Sequence, residues 1–152
     1  MILKDLKASL FEQCSQVVEK RYSKVKQTIA DIDESLMEES KSSAGDKHET
    51  GRAMLQIDRE NAGKQLFEIE NLQSLLRKID IRASSDYVRL GSLVYTNHGT
   101  YFISISIGAV IVGKTNYICV ALHSPIGNLL AGKKKGDTFN FNNLEYKITQ
   151  VY

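Results

Sequence analysis

Two carboxylates three residues apart, Asp46 and Glu49, are the side chains whose type and spacing best suit chemistry in this sequence. Residues three apart lie on the same face of a helix, so both groups would point the same way. If the helix begins at the end of a helical hairpin, the pair would be displayed to solvent, beyond the reach of the chain's other side chains. Asp at an N-cap with Glu three residues later is also a capping box, which begins a helix without further function. The two interpretations are compatible, because a cap fixes the geometry of its carboxylates.

The segments on either side of this pair predict two long helices. The single proline is Pro125, so nothing interrupts a helix in the first half of the chain. Apolar residues recur there in steps of three and four, the spacing of a coiled-coil seam. The first seam is Phe11, Cys14, Val18, Tyr22, Val25, Ile29, Ile32 and Leu36, and the second is Leu55, Ala62, Leu66, Ile69, Leu72, Leu76 and Ile79. Residues 40–46 between them are small and polar and include a glycine, which predicts an antiparallel hairpin with Asp46 and Glu49 at its tip.

The second half of the chain has the two-residue alternation of strands. We expect strands over Val88–Thr96, Tyr101–Ile107 and Tyr117–Leu122, and two more around a turn at Asn142-Asn143. A turn is expected at Asn97-His98-Gly99. Ser124 suits the N-cap of a short helix, Pro125 its first position and Gly132 the residue past its end. The fold class is therefore α+β, with a coiled-coil hairpin over residues 1–82, its tip at 45–50, and a small antiparallel β domain over residues 83–152.

Charge and composition narrow the class of protein. Residues 1–80 carry 13 basic and 15 acidic side chains, whereas residues 81–152 carry 7 basic and 3 acidic ones, which indicates two units with different roles. Neither half is basic enough to bind free nucleic acid through charge alone. No apolar run is long enough for a membrane span, and residues 1–5 do not begin a signal peptide. Cys14 and Cys119 are far apart in sequence and are interpreted as buried apolar residues in a reducing cytoplasm.

The tip and a second segment carry a resemblance to a known family. The tip reads Gly45-Asp46-Lys47-His48-Glu49-Thr50, which resembles G-D-L-K-E-N in the bacterial GreA/GreB transcript cleavage factors. Residues 124–137, SPIGNLLAGKKKGD, are similar to the family's S-P-(I/L)-(A/G)-x-x-L-(I/L)-G-K-x-x-G-D, and residues 89–94, RLGSLV, to its first C-terminal strand. Lys47, His48 and Thr50 depart from the tip motif. His123 stands where the family has an acidic or amide residue.

The resemblance implies a function that the chain does not perform alone. An FKBP-like C-terminal domain would dock on RNA polymerase through His123, Ser124 and Pro125, and the hairpin would enter the secondary channel. Asp46 and Glu49 would then act as the catalytic residues by holding the second Mg²⁺ of the polymerase, which cleaves the 3′ end of backtracked RNA. Arg52 is a candidate contact to that RNA. The chain would be a cytoplasmic monomer, an accessory factor rather than an enzyme, with no membrane partner and no free small-molecule substrate.

Two other functions fit the same residues. A Gre-like factor could bind the channel and modulate or inhibit the polymerase without cleavage, and the substitutions at the tip and at His123 are compatible with this. A coiled-coil adaptor without a polymerase partner would instead dimerise through residues 1–80 and would not depend on Asp46 or Glu49. A stand-alone hydrolase is disfavoured, because the sequence shows no nucleophile–base pair, Cys/His metal cluster or phosphate-binding glycine loop.

Overall fold

The hairpin consists of two long helices. The computed structural model describes residues 2–41 and 45–152, with residues 45–48 described by their backbone alone. Helix α1 spans Leu3–Lys41 and helix α2 spans Gly45–Arg77. All residues of the two predicted seams are buried or half-buried. The helical spacing of the apolar residues therefore correctly predicted which face of each helix is packed.

Residues Val18–Gln73 form one compact unit, the distal part of the hairpin. Its buried seam contains Val18, Val25, Ile29, Ala62 and Ile69. At its surface the guanidinium of Arg59 on α2 donates to the carboxylate of Asp33 on α1, at 3.1 Å. Both side chains are about half exposed, so this ion pair fixes the register of the helices more than it stabilises them.

The second compact unit, Met1–Val17 with Ser74–Tyr152, contains six strands and a short helix. The strands are β1 (Leu93–Thr96), β2 (Gly99–Ser104), β3 (Gly108–Val112), β4 (Thr115–Ala121), β5 (Thr138–Phe141) and β6 (Leu144–Val151). Helix α3, Pro125–Leu130, lies between β4 and β5. The base of the hairpin, meaning Met1–Val17 and residues 74–77, is thus part of the same compact unit as the β domain. The division between residues 82 and 83, which was predicted from the change in apolar spacing along the sequence, stays a prediction.

The α+β class is confirmed, but the sheet is mixed rather than antiparallel. Its strand order is β3-β4-β2-β1-β6-β5. All neighbours pair antiparallel except β2 and β4, which are parallel. The reason is that the chain leaves β2 for the sheet edge, forms β3 there, and returns as β4 between β3 and β2. Strand β3 runs opposite to β2, and the chain reverses again between β3 and β4, so β4 runs parallel to β2.

Three other expectations about the strands change. The first strand begins at Leu93 rather than Val88, because a turn intervenes in which the amide of Ser92 donates to the carbonyl of Arg89 at 3.0 Å. Gly99 already belongs to β2, so the turn before it is shorter than predicted. Strand β3 was not predicted at all. The predicted helix α3 and the turn at Asn142-Asn143 are confirmed, both asparagines having positive φ.

Strands β1, β2 and β4 carry buried residues on both faces of the sheet. One face packs with Ile126 and Leu130 of α3 around a core that includes Val94, Ile103 and Ile148. The residues that alternate with these on β1, β2 and β4 are equally buried and include Leu93, Phe102, Ser104 and Cys119. They belong to the face against α1, because Cys14 contacts Ser104. None of the helices that the structure describes combines the length and apolarity needed to cross a lipid bilayer.

Candidate functional site

The tip carboxylates lie at the beginning of α2. Glu49 is helical and exposed, and the backbone of Asp46 is helical too. Because α2 begins at Gly45, Asp46 lies inside the helix and not in the preceding position that an N-cap residue occupies. The capping-box interpretation therefore does not describe this helix start. The helical spacing of three places both residues on one face of α2. Residues 42–44 of the predicted connector lie outside the described residues.

Arg52, the predicted RNA contact, has partners within the hairpin. Its guanidinium donates to the carbonyl of Leu36 at 3.4 Å and to the hydroxyl of Ser40. Both acceptors lie in the last turns of α1, where the hydroxyl of Ser40 also donates to the carbonyl of Leu36 at 2.9 Å. Arg52 thus ties the beginning of α2 to the end of α1, a role that its position in the sequence did not indicate.

A third carboxylate lies near the tip. A Cβ atom at Gly51 would lie 3.4 Å from Oε1 of Glu39, so the Glu39 side chain lies against the backbone of α2 there. The Glu39 side chain is half-buried there. The absence of a side chain at Gly51 is the one signal that could have indicated the close approach.

The donor set at the tip suits a shared Mg²⁺ rather than a resident one. Carboxylate oxygens are the ligands that this ion prefers, but it requires six ligands in near-octahedral geometry. Asp46 and Glu49 supply two carboxylates, and a partner or water would have to supply the rest. Among the residues that the structure describes, no three His, Cys, Asp or Glu side chains are grouped so as to hold a metal ion. Asp46 and Glu49 could therefore hold such an ion only together with ligands from outside the pair.

The segment that the resemblance assigns to docking is rigidly built. Ser124 is the N-cap of α3: its hydroxyl accepts from the amide of Gly127 at 3.1 Å and donates to the carbonyl of Ala121 at 2.7 Å. Pro125 occupies the first turn, as predicted. The hydroxyl therefore links the end of β4 to the start of α3.

His123 and Pro125 are exposed beside this cap. The carbonyl of His123 accepts a hydrogen bond from the side-chain amide of Asn128 at 3.4 Å. The segment His123, Ser124 and Pro125 thus presents two exposed side chains on a fixed backbone, as a protein-docking surface requires. The structure shows that these three residues are adjacent in space but does not show a partner for them.

Gly127 is the residue of this segment that sequence reasoning missed. A Cβ atom there would lie 2.1 Å from the carbonyl oxygen of Ala121 and 2.8 Å from that of Leu122. Both are backbone atoms at the end of β4. Helix α3 can therefore approach β4 this closely only because residue 127 is glycine.

No protein-family model matches the chain, and no curated protein matches it significantly. Among solved structures, the chain is similar to that of the transcription factor Gfh1, with 17% sequence identity and a TM-score of 0.35. The match covers 93% of this chain and 92% of the other.

Proposed function

We propose that this protein is a transcription elongation factor that binds RNA polymerase in its secondary channel and stimulates the cleavage of backtracked RNA. The observation that carries the proposal is the position of Glu49, an exposed carboxylate in the first turns of α2, three residues after Asp46. The two motifs that resemble the Gre family support it further. They fall on the tip of a helical hairpin and on a capped helix of a β domain, the two places at which the family's mechanism needs them.

We propose that the tip carboxylates bind the weakly held Mg²⁺ of the polymerase and orient its water ligands. In two-metal hydrolysis of a phosphodiester, the ions stabilise the leaving oxygen and generate and place the attacking hydroxide. Asp46 and Glu49 would supply ligands to the weakly held ion and accept hydrogen bonds from its water ligands. Because both residues lie on one helical face, a single approach of the tip delivers both. The chain has no catalytic role apart from the polymerase in this proposal.

The segment His123, Ser124 and Pro125 is proposed to contact the polymerase. Its rigidity favours this, because a pre-ordered surface loses little conformational entropy on binding. We propose that the factor acts as a cytoplasmic monomer, with the polymerase and the 3′ end of its RNA as partners. His123 replaces an acidic or amide residue of the family, so the polymerase surface that it meets is expected to differ in charge.

The test is a cleavage assay on stalled, backtracked polymerase complexes with labelled RNA and Mg²⁺. We expect the wild-type protein to shorten the RNA, and Asp46→Ala and Glu49→Ala each to reduce cleavage to the background of the polymerase itself. Both variants should still bind polymerase. The matched control is Glu38→Ala, which removes an exposed carboxylate from α1 and should leave cleavage unchanged. Equal losses of RNA cleavage in all three variants would show that cleavage depends on the overall negative charge near the tip and not on the pair Asp46 and Glu49.

A channel-binding modulator without cleavage activity is the second candidate. Lys47 and His48, which separate the carboxylates, differ from the family's residues and favour it. It predicts binding with suppressed elongation and no shortened RNA. A coiled-coil adaptor predicts neither cleavage nor polymerase binding, and a dimer in sedimentation. The same preparation of protein therefore distinguishes the three functions.

A further inference from the structure

A cavity of about 440 Å³ opens in the compact unit that contains the β domain. It is lined by the base of α1, by residues 78–85 after α2 and by the turn that precedes β1. The lining residues that matter here are Lys7, Lys78, Asp80, Arg89, Ser92 and Tyr152. None of them belongs to the tip or to the docking segment, so the proposed function leaves this cavity unexplained.

Lys7 is a charged residue inside the protein, with only 3% of its surface exposed. Its ammonium group donates one hydrogen bond, to the carbonyl of Ala83 at 3.2 Å. A buried ammonium is costly unless it is paired and its three donors are satisfied. The described part of the chain offers it no carboxylate within salt-bridge distance. Two of its donors are thus left without a described protein partner.

The other two cations of the cavity are also unpaired. The structure describes no hydrogen bond or ion pair for the guanidinium of Arg89 or the ammonium of Lys78. Both side chains are exposed at the rim, whereas Lys7 lies deeper. The one side-chain carboxylate of the lining, that of Asp80, already accepts from the amide of Arg82 at 3.0 Å. The cavity therefore gathers positive charge that the protein does not neutralise.

The geometry points to a binding site for a phosphorylated small molecule in this cavity. Three cations and one carboxylate leave the lining with a net side-chain charge of +2, which is opposite to the charge of a phosphate monoester dianion. Arg89 supplies a planar fork that matches two phosphate oxygens, and Lys7 supplies a fixed charge beneath them. An anion bound between these cations would offset their mutual repulsion.

The size of the cavity indicates more than a bare phosphate. Small-molecule sites typically have volumes of about 300–1,000 Å³, and this cavity lies within that range. Leu90 and Tyr152 add apolar surface to its lining. The ring of Tyr152 is held edge-on against Tyr95, with centroids 5.8 Å apart. A sugar or base attached to the phosphate would contact this side.

The test is calorimetric titration of the full-length protein, without polymerase, with inorganic phosphate, adenosine monophosphate and adenosine. We expect one site for each phosphate compound and none for adenosine. Arg89→Gln and Lys78→Gln should each weaken binding, Arg89→Gln by about tenfold or more. The matched control is Lys135→Gln, which removes an exposed cation of the same domain and should leave affinity unchanged. Amide chemical shifts between residues 78 and 92 should move on binding.

The outcomes separate the sources of the phosphate group. Tighter binding of adenosine monophosphate than of inorganic phosphate supports an organic ligand, and equal binding supports the free anion. The proposal is overturned if neither compound binds, if adenosine binds as well as its monophosphate, or if Lys135→Gln loses as much affinity as Arg89→Gln. Because no polymerase is present, failure here is distinct from failure of the proposed elongation function.

Discussion

The thiol of Cys14 on α1 lies 3.5 Å from the hydroxyl of Ser104 on β2, although 90 residues separate them in the chain. Cys119 belongs to the same cluster. It pairs in register with Phe102, which puts it on the same face of the sheet as Ser104. All three side chains are fully buried. The two cysteines of the chain are therefore buried, as expected, but they form one contact between α1 and the sheet.

A hydrogen bond between the two thiols should make them titrate differently. Donation from Cys119 lowers the pKa of Cys14 to about 7, and burial opposes this shift. The same bond, together with burial, raises the pKa of Cys119. We expect the thiolate absorbance of the native protein to show one ionisation near neutral pH. In Cys119→Ala the donor is gone, so the pKa of Cys14 should rise.

Two further results would bear on this assignment. Cys14→Ala should abolish the near-neutral ionisation altogether. A near-neutral step that persists in Cys119→Ala would show that Cys119 is not the cause of the lowered pKa.

Gly127→Ala should displace helix α3 and with it the docking segment His123, Ser124 and Pro125. The new methyl would lie 2.1 Å from the carbonyl oxygen of Ala121, so α3 must move away from β4. We expect a loss of about 1–3 kcal/mol in the free energy of unfolding, the usual cost of overpacking, measured by urea denaturation. Polymerase binding should fall as well. Gly63→Ala on α2, where the new Cβ would lie 3.5 Å from Nη1 of Arg59, should leave both nearly unchanged. A neutral Gly127→Ala would contradict the observed close approach.

Lys7→Met should change how stability depends on pH. Burial is the main reason why the pKa of Lys7 is lowered from 10.5; Arg89 lowers it further, and Asp80 opposes both. The folded protein thus releases this proton at a lower pH than the unfolded chain does. Wild-type stability therefore gains as pH rises through the window just below 10.5. The free energy of unfolding of Lys7→Met, taken relative to that of wild type, should be highest below this window. It should fall as pH rises through the window.

Urea denaturation at a series of pH values measures this difference. Lys78→Met controls for the loss of a lysine charge from the same cavity. A difference between Lys7→Met and wild type that stays constant with pH would mean that the ammonium of Lys7 is not penalised by burial.

Arg52→Ala should loosen the tip end of the hairpin. It removes the hydrogen bonds to Leu36 and Ser40, each worth about 1 kcal/mol. We expect faster amide hydrogen exchange near residues 36–41 and 49–52, with little change near residue 69. Lys64→Ala, an exposed charge elsewhere on α2, is the control. Reduced RNA cleavage with unchanged exchange would instead assign Arg52 to an RNA contact.

Local patterns determined much of the fold because the forces behind them act over a few residues. Steps of three and four without proline define one apolar face of a helix, and they predicted both long helices. Ser124 before Pro125 predicted α3, since a hydroxyl cap and a fixed φ act within one turn. Asn142 and Asn143 predicted their turn because asparagine tolerates positive φ. The motifs at residues 45–50 and 124–137 led to the proposed function in the same way.

The tertiary structure decided whatever depends on distant parts of the chain. No local rule required β2 and β4 to pair in parallel, because strand pairing depends on which edge is available. The need for glycine at position 127 arises from the carbonyl groups at the end of β4. Cys14, Ser104 and Cys119 meet, and Lys7 joins Arg89 at one cavity, only because the base of α1 packs in the β-containing unit. Periodicity predicts that a face is buried, but only packing determines what it is buried against.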